Sequence, residues 1–431
     1  MTGAAQCVVP AGASARCVRA EFYLFLLIVV SVPLAMGPYT APEPLKWLIL
    51  DTAAPALLCV WWLRRTGSAG LILRADPITW GLLACLGAAT LSVFSAINPG
   101  LSVVSISKGL GLLCVYFLAA NAPADDRDRD RILWALSGCG LVVALYGIAQ
   151  HFGYDFYPWA SHAELPARRA YSSVGHPTFA ASFQAIILPV TVWLGLTRPS
   201  RRARAIAFAV ALVQLAHVQF TGARGPALAL AMACVVIAAL VLFDAGRAKR
   251  GAAIVALLLL GVAILVVGRA WHEKRSDPLA IREGGLTLRI NTWETASRLF
   301  VAHPLLGVGA GNYPVASPAA WNELEAYHFM RHNRLNEQVH NEYLQAAAEE
   351  GILGLGALLF LVVFSLRQAF RVARSAALTR EKYLGLALLA SLTVAYVDAF
   401  CNFTLQVASP AVALWTLLGV VTFTAHSARA E

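Results

Sequence analysis

The chain has 431 residues, of which 58% are hydrophobic and only 13% charged, with a formal net charge of +10. A soluble domain carries about a quarter charged residues, so a soluble fold is excluded. The basic excess calls for no nucleic acid, because Lys and Arg collect in loops that stay in the cytoplasm.

Apolar runs of about 20 residues are long enough to cross a bilayer as helices. In chain order they fall near 21–37, 45–63, 77–96, 102–120, 132–152, 176–196, 205–220, 226–243, 252–270, 350–370, 382–399 and 409–426. The expectation is an all-α polytopic membrane protein of about twelve spans. Residues 1–431 form a single membrane domain, with one long hydrophilic loop at 271–349. The first run follows Arg16 and Arg19 as a signal peptide would, but an even helix count fits the charges better. The eight cysteines lie mostly in apolar runs and include no CxxC pair, so neither a disulfide framework nor a zinc site is expected.

With the N-terminus in the cytoplasm, the connections "RRTGSAGLILR", "NAPADDRDRDR", "TRPSRRAR", "DAGRAKR" and "RQAFRVARSAALTREK" all stay inside, and all are basic-rich. The short opposite loops near 38–44, 97–101 and 400–408 hold no Lys or Arg. Both termini are then cytoplasmic. The acidic run in "DDRDRD" reads as a solvated cytoplasmic loop rather than a metal site.

Three connections on the translocated side break the charge rule. The loop at 153–175 holds Arg168 and Arg169, the tight turn "TGARGP" holds Arg224, and the long loop holds Arg289 among others. Long loops translocate regardless of charge, but a short turn between two apolar helices gives Arg224 no such exemption. Within the long loop, "LRINTWETASRLF" places Leu288, Trp293, Ala296 and Phe300 on one face, an amphipathic helix at the interface. The glycines of "HPLLGVGAGNYP" read as loop geometry, because no strand and helix frame them as a phosphate loop.

Arg168, Arg169, Arg224 and Arg289 are candidates to hold a diphosphate without a metal, since guanidinium forks match phosphate oxygens. Lys108, near the outer end of the fourth span, either joins them or snorkels to the interface. If 337–349 is helical, Glu337, His340, Asn341 and Leu344 share a face, and His340, with an ordinary pKa near 6.5, takes a proton at neutral pH. His176 is a weaker candidate, with a helix-start role as the alternative. Asp398 is an ionisable residue at membrane depth and calls for a partner, His340 or an arginine. There is no HExxH and no Walker A sequence, and the first outer loop offers only Glu43, which disfavours metal-assisted chemistry.

The segments "VHNEYLQAAAEEGILGL", "LRINTWETASRLFVAHPLLGVGAGNY" and "FTGARGPALAL", with "YGIAQHFGYDFYP" and "SSVGHPTFAASF" in support, resemble the O-antigen ligase/polymerase superfamily over roughly residues 140–425. The resemblance implies a metal-independent, GT-C-like membrane glycosyltransferase of the bacterial inner membrane, with its active site facing the periplasm and no cofactor. Its donor would be a glycan on undecaprenyl diphosphate. For a ligase the acceptor is lipid A–core oligosaccharide and the product lipopolysaccharide. The family's turn arginine matches Arg224, its long-loop arginine Arg289 and its long-loop histidine His340. The expected reaction is an inverting transfer with Arg224, Arg289 and Arg169 on the diphosphate and His340 as base or acceptor anchor, oriented by Glu337 or Asp398. The chain stops five residues after its last expected span, which favours a ligase. An O-antigen polymerase, a protein O-oligosaccharyltransferase and, in another class, a lipid-linked glycan transporter remain open.

Overall fold

The computed structural model describes residues 15–37, 42–66, 73–157, 169–243, 285–332, 335–375 and 379–430. No strand occurs among them. The main helices are α1 (Ala15–Leu34), α2 (Glu43–Thr66), α3 (Pro77–Leu91), α4 (Pro99–Asn121), α5 (Asp126–His151), α6 (Pro177–Thr197), α7 (Arg201–Thr221), α8 (Arg224–Phe243), α9 (Gly285–Ala302), α10 (Glu323–His332), α11 (Glu342–Ser375), α12 (Thr379–Asp398) and α13 (Ala408–Ala430). Their starts follow local chemistry. Asp76, Asn98 and His176 each accept a hydrogen bond from a first-turn N–H, and each is followed by a proline, whose missing N–H costs a helix start nothing. His176 thus has the helix-start role.

Among the described residues, eight helices are long and apolar enough to cross a membrane: α2, α3 with its extension to Ser95, α4 to α7, α11 and α13. A shorter apolar stretch, Arg224–Leu240, lies in α8. α1 and α12 coincide with expected spans but are not among the eight. The expected ninth span, 252–270, lies outside the described residues. One apolar core joins these helices, with α13 running through its middle. A Cβ on Gly419 of α13 would meet the Ala119 Cβ of α4 at 2.5 Å, so small residues set that close approach.

The helices run in alternating directions, so their ends gather at two faces. At one face Lys46 Nζ donates to Ser173 O (2.9 Å) and Ser409 Oγ (3.0 Å), while Ser173 Oγ donates to Pro33 O (2.8 Å). The ends of α1 and α5 and the starts of α2, α6, α11 and α13 therefore meet there. At the other face the "DDRDRD" stretch is not a solvated loop. Asp125 caps α5, and Arg129, 1% exposed, pairs with Asp126, Asp130 and Glu381. Arg198 and Arg380 also bond Asp130. The alternation of acid and base reads as solvated in one dimension; α12 supplies the carboxylate that buries it.

The long loop folds back onto the first face. The apolar side of α9 (Ala296 and Leu299, with Trp293 half-buried) packs against Val308, Tyr313, Val339 and Ala348, so this face covers protein as a satellite core. The glycine run is a docking turn, as its composition suggested. Val308 N–H donates to Ala348 O (3.0 Å), Gly309 N–H to Glu349 O (2.8 Å), and Gly311 and Tyr313 N–H to the Glu349 carboxylate (2.8 and 2.9 Å). α11 breaks at Gly351, whose φ of 67° admits glycine best. A Cβ there would sit 2.2 Å from Leu305 O, and the next N–H, of Ile352, donates to Pro304 O at 2.8 Å. The first turns of α11 are thereby clamped to the loop rather than continuing straight.

Candidate active site

His340 lies in the segment leading into α11, not on it. Residues 335–341 are non-helical and the helix starts at Glu342. The shared helical face expected for Glu337, His340, Asn341 and Leu344 is therefore absent. The reason is a local competition. Asn341 Oδ1 accepts from Tyr343 N–H (3.0 Å) and Leu344 N–H (3.1 Å), so this residue caps the helix and starts it there. Glu337 is exposed on the approach to α11. His340 itself has φ 57°, the left-handed region that a residue with a Cβ seldom enters. Such strain gathers at sites where the surroundings over-determine one conformation.

The ring of His340 is largely enclosed. Burial first, and then the Arg289 charge, push its pKa down from 6.5 to about 4, so it is neutral at pH 7. Its ring meets Phe403 edge-on with centroids 4.9 Å apart. Phe403 sits in the turn between α12 and α13.

That turn also holds Arg289. From α9, the Arg289 Nη2 donates to Asn402 Oδ1 at 3.1 Å. Asn402 in turn donates through Nδ2 to Asp398 Oδ1 at 2.6 Å. Asp398 Oδ2 accepts from Ser182 Oγ (2.5 Å) and Thr404 Oγ1 (3.1 Å). Asp398 was expected to pair with His340 or an arginine. It reaches Arg289 through one amide, and its hydrogen bonds lock the turn.

Arg224 opens α8 immediately after the two-residue link Gly222–Ala223. Gly222 closes α7 in the left-handed conformation (φ 62°), and Ala223 N–H donates to Thr221 Oγ1 at 3.1 Å. The next residue, Gly225, packs so closely on the α12–α13 turn that a Cβ would lie 2.6 Å from Asn402 Nδ2 and 3.0 Å from Asp398 Oδ1. Gly225 and Arg289 therefore meet at one asparagine, which puts the start of α8 beside Arg289. Arg169 joins from the other side, its Nε donating to Thr221 O at 2.7 Å. Burial, and second the Arg224 charge, lower the pKa of Arg169, although a guanidinium keeps its proton in a protein. Cations held this close favour any anion that enters between them.

Not every candidate converges. Lys108 Nζ lies over the Trp47 ring, 5.1 Å from its centroid, in reach of the Glu43 and Asp51 charges on α2. The helix packing gives it that role, and nothing brings it to the arginines. Arg168 lies outside the described residues. Glu43 receives the Ala408 N–H at 3.0 Å and so caps α13. The acidic positions of α11 are also framework: Glu342 accepts from Leu405 N–H (2.7 Å) and Gln406 Nε2 (3.0 Å). Among the described residues no group of three or more His, Cys, Asp and Glu is arranged to hold a metal ion. Sequence reasoning missed Asn402 and Phe403. Their only signal was a polar turn, "CNFTLQ", between two apolar runs.

No curated protein matches the chain. Residues 209–361 match the family model described as O-Antigen ligase. They contain the Arg224 turn, α9 and its Arg289, the glycine-run clamp and the His340 segment, and over this stretch the chain is similar to the O-antigen ligase family.

Proposed function

We propose that the protein transfers O-antigen polysaccharide from undecaprenyl diphosphate to lipid A–core oligosaccharide at the periplasmic face of the bacterial inner membrane, by metal-independent inverting transfer. The observation that carries the reading is the convergence of Arg169, Arg224 and Arg289 with a neutral, largely enclosed His340 at one end of the bundle. Guanidinium groups hold diphosphate oxygens, and the charge they oppose grows as the carrier leaves.

In this reading the acceptor hydroxyl hydrogen-bonds to the neutral His340 ring and attacks the anomeric carbon. The new C–O bond forms as the bond to the diphosphate oxygen breaks, and the electron pair leaves with the diphosphate, held by Arg224, Arg289 and Arg169. The hydroxyl proton passes to His340. At a pKa near 4, set first by burial and second by the Arg289 charge, the imidazole is a weak base, and a diphosphate beside Arg289 offsets the second of these and strengthens the base as the donor binds. Asp398 and Asn402 position Arg289. Arginines on neutral acceptors at an end of the bundle, beside a docked loop, favour an enzyme acting at the surface over a transporter, whose site lies near the midplane on broken helices.

The test is a ligation in detergent with purified protein, undecaprenyl-diphosphate-linked glycan and lipid A–core, with EDTA present and ATP absent. The expected result is a lipid A–core band shifted on a gel by wild type and unshifted by His340→Ala. A carrier glycan that lengthens while lipid A–core stays put makes the protein a polymerase. Transfer only to a protein acceptor makes it an oligosaccharyltransferase.

A further inference from the structure

Beside the arginines lies a row of rings that diphosphate chemistry does not use. It begins at His340, whose centroid is 4.9 Å from Phe403, continues to Phe179 at 4.8 Å, and ends at His176, 4.8 Å from Phe179. The four rings come from three separate places: the approach to α11, the α12–α13 turn and the start of α6. His176, at the far end, is exposed, whereas Phe403 and Phe179 are half-buried.

Phe403 is the unusual member. It belongs to none of the apolar clusters among the described residues, whereas Phe179 packs against the main core. A phenylalanine is ordinarily retained for core burial, and here that role falls to Phe179. Yet Phe403 is held firmly, because its neighbours Asn402 and Thr404 both bond Asp398 and Leu405 N–H bonds Glu342. A fixed, partly open aromatic face bounded by histidines is poorly matched to an isoprenoid tail, which aliphatic surface in the bilayer already serves. It is well matched to a pyranose, whose C–H face is apolar and slightly positive while its rim carries hydroxyls. The C–H face lies on the negative face of the ring, and the histidines at either end serve the hydroxyls.

We infer that Phe403, seated on Phe179, is a sugar-stacking platform that holds a pyranose ring of the glycan donor or of the acceptor beside His340. This rests on the glycosyl-transfer reading above. Both substrates present pyranose faces, and kinetics separates them.

The experiment measures ligation in detergent with donor and acceptor varied in turn, for wild type, Phe403→Leu, Phe403→Trp and Phe179→Leu. Bare undecaprenyl diphosphate serves as a competitor against the donor. Phe403→Leu is expected to raise KM about tenfold for one sugar substrate with a smaller change in kcat, as the loss of one stacking contact predicts. Phe403→Trp restores KM to within about twofold of wild type, on the same stacking argument. Inhibition by the bare carrier, which has no sugar, stays unchanged. A rise confined to donor KM assigns the ring to the donor sugar, and one confined to acceptor KM to the acceptor. The inference is overturned if the leucine variant keeps both KM values, if tryptophan behaves like leucine, or if the bare carrier loses affinity equally, because the ring then serves the fold or the lipid. A wild-type protein that ligates no glycan at all removes the underlying reading as well. Normal wild-type turnover with indifferent Phe403 variants removes only the platform.

Discussion

Arginines gather at both ends of this bundle, and the two ends satisfy them in opposite ways. At the Arg129 end the partners are carboxylates: Arg129 bonds Asp126, Asp130 and Glu381, while Arg198 and Arg380 converge on Asp130. At the His340 end Arg289 donates to the Asn402 amide and Arg169 to the Thr221 carbonyl. The nearby carboxylate, Asp398, is spent on Ser182, Thr404 and Asn402. A buried cation with a carboxylate partner is finished as structure. A cation on neutral acceptors keeps most of its charge for something that arrives later. The residue type is the same, and the partner decides whether it closes the fold or waits for an anion.

The largest effect should come from breaking the finished end. Arg129→Ala removes the most buried cation of the cluster and leaves Asp130 and Glu381 to Arg198 and Arg380 alone, a loss at the lower end of the about 3–5 kcal/mol seen when a buried pair loses one member. Thermal unfolding in detergent is expected to show that loss, while the protein still folded keeps its ligation activity. A loss of activity at unchanged stability would erase the distinction between the two ends.

Next, Arg224→Lys and Arg289→Lys retain the charge but not the planar fork. The expected outcome is a fall in kcat of about 10²- to 10³-fold, as for removal of one charge-stabilising donor, with thermal unfolding close to wild type. Near-normal turnover by both lysine variants would mean that these arginines do not hold the leaving group.

A smaller effect tests the chain from Asp398 through Asn402 to Arg289. Asp398→Asn keeps one acceptor oxygen and turns the other into an NH2, so it no longer accepts from Asn402 on one side and from Ser182 and Thr404 on the other, and with the NH2 toward Asn402 that side chain turns and Arg289 loses its place. A double-mutant cycle on kcat/KM with Arg289→Ala should give a coupling of about 0.5–3 kcal/mol. Additive losses would show that Asp398 acts on something other than Arg289.

pH gives a further test. His340 titrates near 6.5 when unfolded and near 4 when folded. Between those values the unfolded chain binds the proton and the folded chain does not. The stability supplied by the neutral ring is therefore complete above pH 6.5 and is lost as pH falls through about 4. If neutral His340 is required, the acid limb of kcat/KM, which reports the free enzyme, lies near 4 rather than 6.5. Arg289→Gln should move that limb up only part of the way, because burial is the larger cause. A limb at 6.5 in wild type would place the ring in water.

The smallest effect concerns strain. With φ at 57°, His340→Gly should be more stable than His340→Ala by about 1 kcal/mol, both being inactive. Equal melting would show that the left-handed backbone is not enforced by the surrounding fold.

The sequence by itself determined the class of protein and most of its helices. Hydropathy, proline-bearing caps and loop charge are local properties, readable along the chain without knowing what packs on what. It also supplied Arg169, Arg224, Arg289 and His340 as candidates, because arginines in connections expected on the translocated side break a charge rule and because the motifs around them resemble a family. Tertiary structure decided the pairings. Arg129 finds Glu381 across 252 residues, so "DDRDRD" reads as a solvated run until α12 is folded against it. Lys108 is directed to Trp47 by the packing of α2 on α4, and Asn341 ends the helical reading of His340 by capping α11. Asn402 and Phe403 carry no motif. They matter because α8, α9 and the approach to α11 close around one turn, and contacts between segments so far apart in sequence leave no periodicity to read.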